Sequence, residues 1–475
     1  MGDLLTPDLC VIGAGAAGLS TAAIAASFGV PVVLVERDRM GGDCLNAGCV
    51  PSKSLLAAAA RAEAIRGAGR FGIRAGEPEV DFARVHDHVH GVIRAIAPND
   101  SVERFTALGV RVVKAEARFT GPDEVEAGGQ LIRARRFVLV VGSRPAVPAI
   151  PGLEEAGCLT NETVFDLTER PEHLVVLGAG PVGVELAQAH RRLGAAVTVL
   201  ARTSLLPRED PEMAAVVERA LLAEGVAIRA GVALERVEGG GGRLLCQLAG
   251  GERIEGSHLL VATGRVPTTG ELGLEAAGIA HDGAGITVDR GLRTTNRRVY
   301  AVGDCVGGAG PGHRYTHVAN YHAGLVIRSA LFRLPVRVDH AAIPRVTYTH
   351  PEIAAVGLTE AEARAAHKAV RVLRWPVAEN DRAQAERELA GHAKAVVDGR
   401  GRVLGCAIAA ANAGDLITPW TLAVAKGLKV QDLAGLVFPY PTLSEVSKRA
   451  AVEFLRPAAG NPWLRRLIGA ARRLG

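Results

Sequence analysis

Apolar residues occur along this chain in short blocks between glycine turns and small-residue stretches, a pattern that predicts strands alternating with helices. Leu9 to Ile12 is the first such block. It is followed by GAGAAG at Gly13 to Gly18, a small-residue helix over Leu19 to Phe28, and a second block, Val30 to Val35, ending on Glu36. The pattern then repeats, with Leu174 to Leu177, GAGPVG at Gly178 to Gly183, a helix over Val184 to Leu193 and a strand over Ala196 to Leu200. The last third changes character. Val346 to Val356, Ala393 to Val397 and Val403 to Ala410 predict strands, and Thr359 to Lys368 and Asp415 to Gly427 predict helices, with no glycine fingerprint among them. A separate α+β domain is expected there.

Each glycine block has the strand, turn, helix, strand setting of a dinucleotide-binding unit. Gly13 permits the tight turn, Gly15 lets the backbone approach a pyrophosphate, and Gly18 lets helix pack on strand. The helix N-terminus supplies N–H donors to the phosphates. Glu36 is placed to accept hydrogen bonds from a ribose, and Gly178, Gly180 and Gly183 repeat the glycine positions in the second block. One match is a weak signal; two in the same context imply two dinucleotides. VVGSRP (Val140 to Pro145, with Gly142 and Ser143) and VATGRVP (Val261 to Pro267, with Gly264) are strand ends that close the two units. Pro145, Pro148 and Pro151 mark a crossing between domains.

A length of 475 residues suggests about three domains. The net charge is +5 and aromatics make up 4%, with no basic block interleaved with aromatics, so nucleic-acid binding is not expected. No uninterrupted apolar run reaches about 18 residues, and the early turn at Gly13 leaves no room for a targeting segment. The seven cysteines are scattered, which argues against a secreted disulfide framework and for the cytoplasm. Cys10, Cys158, Cys246, Cys305 and Cys406 stand alone and are expected to be small core residues.

Cys44 and Cys49 are different. They lie in GGDCLNAGCVPSK (Gly41 to Lys53), between the first unit and an alanine-rich helix. One such pair supplies two of the four ligands structural zinc needs, and no partner pair follows. Pro51 fits the first turn of the next helix, which puts Cys49 at its N-terminus, where the dipole favours a thiolate. Redox work is expected, against the blander alternative of a static disulfide or two buried thiols.

These motifs together resemble the flavoprotein disulfide reductase family of pyridine nucleotide-disulfide oxidoreductases, over residues up to about Ala451. The likeness is greatest to mercuric reductase-like members and extends to the dihydrolipoamide dehydrogenases. The resemblance implies an α/β fold with two Rossmann-like domains, for FAD and NAD(P), and a C-terminal α+β dimerisation domain. The expected bounds are 1–150 and 273–340 for the flavin and central parts, 151–272 for the nicotinamide domain, 341–455 for dimerisation and 456–475 for a tail. It also implies that Asp304 holds the flavin ribitol, that Ala319 lies at the flavin, and that Lys53 pairs with Glu185 beside the flavin N5. Cys49 would be the thiol next to the flavin and Cys44 the interchange thiol. A homodimer is implied, each site being completed by the other subunit.

Two positions depart from the family pattern. Disulfide-reducing members carry a His before a Pro-Thr pair, and here FPYPTLSE (Phe438 to Glu445) places Tyr440 there. A phenol with a reference pKa of about 10 is a poor base near neutrality, and Glu445 lacks the imidazole it would orient. Mercuric reductases carry a tyrosine in a similar setting, yet they deliver metal through a C-terminal cysteine pair, and the tail NPWLRRLIGAARRLG has no cysteine. A thiol-reactive acceptor of mercuric reductase-like kind is expected, either a thiol-bound metal or another small molecule such as an unusual disulfide. Dihydrolipoamide dehydrogenase-like turnover and a membrane-surface quinone reductase or redox sensor are the alternatives. The second unit's last strand ends at Ala201-Arg202 with Arg208 nearby, so no acid repels a 2′-phosphate and NADPH is expected over NADH.

Two smaller features remain. His86, His88 and His90 alternate within VHDHVH; His86 and His90 share a helix face, with no Cys or carboxylate cluster to complete a metal site, and a solvated face is expected. In the tail, Trp463, Leu464, Leu467, Ile468 and Leu474 fall on one side of a helix and Arg465, Arg466, Arg472 and Arg473 on the other. That pattern suits either peripheral contact with an anionic membrane or docking of the apolar face on the protein.

Overall fold

The first apolar block forms strand β1 (Leu9–Ile12), all four residues of which are buried. A computed structural model of the chain describes residues 4–307 and 314–473. The chain divides into two compact units: Met1–Gly178, Ala189–Leu200 and Ala233–Val338 form one, and Ala179–Gln188, Ala201–Val232 and Asp339–Gly475 the other.

In the first unit β1 leads through the glycine turn into α1 (Ala16–Ser27) and on to β2 (Val32–Glu36). The helix starts three residues before the expected Leu19, because Gly15 is its N-cap. The cysteine segment follows as α2 (Gly42–Asn46) and α3 (Cys49–Gly67), then α4 (Phe82–Ile96), β3 (Val110–Lys114) and β4 (Arg136–Leu139). The second fingerprint joins β5 (His173–Leu177) to α5 (Pro181–Arg192) and β6 (Ala196–Ala201), with β7 (His258–Val261) on the other side of β5. Last come β8 (Val299–Ala301) and α6 (Thr316–Ala330).

The larger sheet has the order β8-β4-β1-β2-β3, every neighbouring pair parallel. Its central strands β1 and β2 are buried along their whole length because both faces are covered, whereas the edge strand β3 carries Arg111 and Lys114 at exposed positions. Leu9 and Val11 pack with Ala17, Ala22 and Ala25 of α1, while Cys10 and Ile12 point to a second cluster with Phe119 and Phe137. Burying alternate residues on opposite faces follows from the strand's period of two.

The second unit is built on a sheet of order β9-β10-β13-β12-β11: Arg345–Thr347, Glu352–Gly357, then Val403–Ala410, His392–Asp398 and Val370–Pro376, all antiparallel. The single strand expected over Val346 to Val356 is thus a hairpin. Pro351 has no N–H to give to a ladder, and the chain turns over Tyr348 to Pro351 so that Thr347 pairs with Ile353. The helix expected over Asp415 to Gly427 is two, Ala413–Leu416 and α7 (Thr418–Lys426), with proline restarting the second and Gly427 closing it at φ 64°. Trp420 of α7 is fully buried on the sheet and its indole N–H donates to Ser447 Oγ at 3.0 Å, on α8 (Glu445–Val452). Burial of a side chain this size stabilises by at least about 1.5–3 kcal/mol. Beyond α8 lies α9 (Pro462–Ala471), exposed along its length. No helix among the described residues is long and apolar enough to cross a membrane.

Candidate active site

The site in the first unit starts from backbone constraints. Gly13 has φ 107°, and a Cβ there would lie 2.5 Å from Val140 O; a Cβ on Gly18 would lie 1.9 Å from Gly13 O. Only glycine closes this turn against the helix. No side chain caps α1 and its first turn holds no acid, so its leading N–H groups are available to an anion. The Glu36 carboxylate accepts from Ala14 N–H at 2.6 Å and Asp38 N–H at 2.7 Å, which fixes the loop.

The cysteine segment is packed directly on that loop. Gly41 N–H donates to Ala14 O at 2.9 Å, and a Cβ on Gly42 would lie 2.7 Å from Gly15 Cα. Asn46 Nδ2 ties α2 back to Met40 O at 3.0 Å and Gly42 O at 2.9 Å. Gly48 then caps α3, so that Cys49 is the first helical residue and Pro51 lies in the first turn. Both cysteines are free thiols in this structure, Cys44 half-buried and Cys49 exposed.

Their electrostatics are opposed. The Cys49 thiol is pushed down to about 6, chiefly by a hydrogen bond from Cys44, with help from Thr316 and the Lys53 charge, against burial and Asp43. The Cys44 thiol is pushed well up, first by that same bond to Cys49 and then by burial. The two opposed shifts favour the thiolate on Cys49 and the proton on Cys44. Cys49 Sγ lies 3.3 Å from Thr316 Oγ1, at the start of α6.

A polar network adjoins the pair. Ser143 Oγ donates to Asp304 Oδ2 at 2.6 Å and accepts from Arg265 Nε at 2.7 Å. Arg265 also donates to Ser143 O at 2.7 Å and pairs with Asp43 Oδ1 at 3.2 Å. Asn161 Nδ2 bridges Asp43 Oδ1 at 3.1 Å and Ala47 O at 3.0 Å. The two strand ends singled out in the sequence pair with each other, Ser143 opposite Pro267 and Pro145 opposite Arg265. Gly142 (φ 66°) and Gly264 (φ 136°) flank this ribbon, and Ala319 Cβ lies 3.3 Å from where a Cβ on Gly303 would stand. Cys44, Cys49, Lys53, Glu36, Gly142, Ser143, Asp304 and Ala319 thus all belong to the first unit. Arg265, Asn161, Asp43 and Thr316 were not anticipated. Arg265 follows Gly264 in the VATGRVP motif, which was its one available signal.

At the second fingerprint Gly178 has φ 116° and a Cβ there would lie 2.4 Å from Ala262 O. Gly180 and Gly183 lead into α5. Arg202 and Arg208 are exposed, and among the described residues neither forms an ion pair. The acids beside them are already engaged: Glu209 accepts from Arg345 Nε at 3.0 Å, and Asp210 accepts from Lys394 Nζ at 2.8 Å while capping the helix Pro211–Ala223.

In the second unit Glu185 is buried and accepts from Tyr348 N–H at 2.9 Å. Tyr440 is 71% exposed and its hydroxyl donates to Asp381 Oδ2 at 3.0 Å, which raises its pKa. Glu445 is the first residue of α8. The His86 and His90 rings lie 4.2 Å apart and tilted by 41° on α4, half-buried rather than solvated, with His90 Nε2 3.1 Å from Phe165 O. Among the described residues no cluster of three or more His, Cys, Asp or Glu side chains could hold a metal ion. Cys10, Cys246, Cys305 and Cys406 are buried, and burial raises each thiol.

Residues 7–323 match the pyridine nucleotide-disulphide oxidoreductase family and residues 343–451 its dimerisation domain. A mercuric reductase of Streptomyces lividans is 38% identical, over 95% of this chain and 97% of its own. A dihydrolipoyl dehydrogenase of Thermus scotoductus is 36% identical, over 94% and 97%. Among solved structures, LpdA of Mycobacterium tuberculosis superposes with a TM-score of 0.86 at 28% identity, covering 95% of this chain and 99% of that one. The Cu(II) complex of the HOCl-induced flavoprotein disulfide reductase RclA of Escherichia coli gives 0.83 at 27%, covering 92% and 98%. The dimerisation domain supports a homodimer. With its paired thiols, bare-backbone dinucleotide loops and matches over nearly its whole length, the chain belongs to the pyridine nucleotide-disulphide oxidoreductases, enzymes that use FAD and NAD(P)H.

Proposed function

We propose that this enzyme takes electrons from NADPH and delivers them, through flavin and the Cys44–Cys49 pair, to a thiol-reactive metal ion in the manner of a mercuric reductase. The observation that carries this is Tyr440. It stands where disulfide-reducing relatives place an imidazole, and its bond to Asp381 moves its pKa further from neutrality. A metal ion bound by two sulfurs needs no proton shuttle, whereas thiol–disulfide exchange does. The names of the relatives, mercuric reductases among them, and the Cu(II) complex of RclA support the same acceptor class.

Within this reading residues 1–150 and 273–340 bind flavin, 151–272 bind the nicotinamide cofactor, and 341–455 pair the subunits. The α1 N-terminus and the Gly13–Gly18 loop receive the pyrophosphate, and Asp304, oriented by Ser143 and Arg265, receives the ribitol. Bound FAD supplies the relay of one electron pair from nicotinamide to sulfur. Lys53, whose charge also favours the Cys49 thiolate, stands beside it. Cys49 holds the thiolate, and Cys44 releases its proton to solvent as its sulfur ligates the metal. The two electrons of one NADPH would then reduce one Hg(II) to the metal, or two Cu(II) ions to Cu(I). Arg202 and Arg208 bind the 2′-phosphate. Tyr440 and Glu445 of the partner subunit complete the acceptor site. The enzyme works in the cytoplasm, and its tail is available for peripheral contact at the inner membrane face.

The test is NADPH oxidation by the holoenzyme with Hg(II), Cu(II), lipoamide and quinones in turn. Metal-dependent turnover lost in both Cys44→Ser and Cys49→Ser is the expected result. Lipoamide turnover faster than metal turnover would favour the dihydrolipoamide dehydrogenase-like alternative. Quinone turnover undiminished in the double serine variant would favour the surface carrier.

A further inference from the structure

The exposed face of α9 has a composition that the redox site does not use. The chain has 55 basic and 50 acidic residues, and no acid follows Glu453. The five arginines after that point, Arg456, Arg465, Arg466, Arg472 and Arg473, equal the entire positive excess of the protein. The rest of the chain is electrically balanced.

The apolar half of the helix is equally segregated. At about 100° per residue, Trp463, Leu464, Leu467 and Ile468 occupy one side, and the paired arginines the other. Trp463 is 78% exposed, Leu467 65% and Ile468 58%, and every residue from Leu455 to Arg473 is exposed. Leu474, on the apolar side of the same wheel, lies outside the described residues. The apolar face is therefore not docked on the chain's own surface, which was one of the two readings the sequence left open. Asn461 caps the helix by accepting from Trp463 N–H at 2.9 Å, and Arg465 Nε donates to Ala459 O at 2.8 Å, so the segment is a formed helix in its own right. The dimerisation match ends at residue 451, before this helix begins.

We propose that α9 is an interfacial anchor that lies in the plane of an anionic lipid bilayer, with Trp463, Leu464, Leu467 and Ile468 in the headgroup–acyl boundary and the arginines on the anionic headgroups. A ten-residue helix of about 15 Å is too short to span, and in-plane binding uses both of its faces at once. A water-facing helix gains nothing from a tryptophan and three large aliphatic residues on one side, whereas an interface takes them together with the guanidinium groups. Charge complementarity selects the anionic bilayer over a neutral one.

The test is co-sedimentation of the full-length holoenzyme with vesicles of phosphatidylcholine alone and of phosphatidylcholine mixed with phosphatidylglycerol, with solution mass measured in parallel. Binding to the mixed vesicles alone is expected, weakened about 30-fold in Arg465→Gln/Arg466→Gln and abolished in Trp463→Ala/Leu467→Ala. NADPH oxidation in solution should be unchanged in all of these, which shows that the variants fold. Trp375 and Trp420 are packed inside the second unit, so a blue shift on vesicle binding that is missing in Trp463→Phe reports this helix. Equal binding to both vesicle types, or none, overturns the proposal. A drop in solution mass in Trp463→Ala/Leu467→Ala, with vesicle binding intact, also overturns it and assigns the face to a contact between copies of the chain.

Discussion

Cys49 Sγ and Thr316 Oγ1 lie 3.3 Å apart, which joins the first residue of one helix to the first residue of another. The hydroxyl adds to the larger effect of Cys44 in holding Cys49 as a thiolate. A hydrogen bond to a charged group contributes about 1.5–3 kcal/mol, or roughly one to two pKa units. Thr316→Val should therefore raise the midpoint of Cys49 alkylation by iodoacetamide in the reduced enzyme by about one unit from its position near 6. Thr316→Ser should restore it. An unchanged profile in the valine variant would show that the hydroxyl does not face the thiolate.

Lys394 is nearly fully buried and its ammonium meets Asp210 at 2.8 Å, Glu212 at 2.7 Å and Glu360 at 3.0 Å. Removing one partner of a buried charge cluster costs about 3–5 kcal/mol, because the remaining charges stay desolvated. Lys394→Met should lower stability in urea by that order. The carboxyl of Glu212 is held well below its ordinary value, first by Arg374 and then by Lys394. A depressed folded pKa contributes stability above the unfolded value of about 4.3 and loses it as pH falls further. The wild-type protein should thus lose thermal stability below about pH 4.3, and Lys394→Met should lose less of it over that interval.

Much of this site is legible in the sequence wherever the backbone itself demands a residue. Gly13 and Gly178 sit at φ 107° and 116° against carbonyl oxygens, so the two fingerprints could be located without any tertiary information. The cysteine pair carries its own spacing, and Pro51 marks its helix start. Thr316 had no comparable signal: it reaches Cys49 across 267 residues, and a threonine before a helical run is commonplace. Arg265 stood inside a recognised motif, but its guanidinium works on Ser143 and Asp43, which only strand pairing brings near. The hairpin over Tyr348 to Pro351 was hidden because apolar residues flank it on both sides, although the missing N–H of Pro351 was there to be read.

Tyr440 gives the sharpest separation between acceptor classes. Tyr440→His places an imidazole with a pKa near neutrality where the phenol stands, beside Glu445 at the start of α8. General acid–base catalysis contributes about 10²–10⁴-fold, so lipoamide turnover should rise by at least about 100-fold in this variant. Metal-dependent turnover should rise little. Tyr440→Phe should leave lipoamide turnover as low as in the wild type. A histidine variant with no gain in lipoamide turnover would mean that Tyr440 does not stand at the interchange thiol of the partner subunit.

The choice of nicotinamide rests on Arg202 and on the engagement of its acidic neighbours. Glu209 and Asp210 are held by Arg345 and Lys394, so neither neutralises the exposed guanidinium that follows β6. A charge-assisted bond to a 2′-phosphate is worth about 1.5–3 kcal/mol, a factor of roughly 10–150. Arg202→Ala should lower kcat/KM for NADPH by that factor and leave the value for NADH almost unchanged. Arg202→Asp should go further and reverse the preference, since a carboxylate both repels the phosphate and accepts from the ribose hydroxyls. Equal losses with both cofactors would instead assign Arg202 to the shared part of the dinucleotide, and its place in specificity would pass to Arg208.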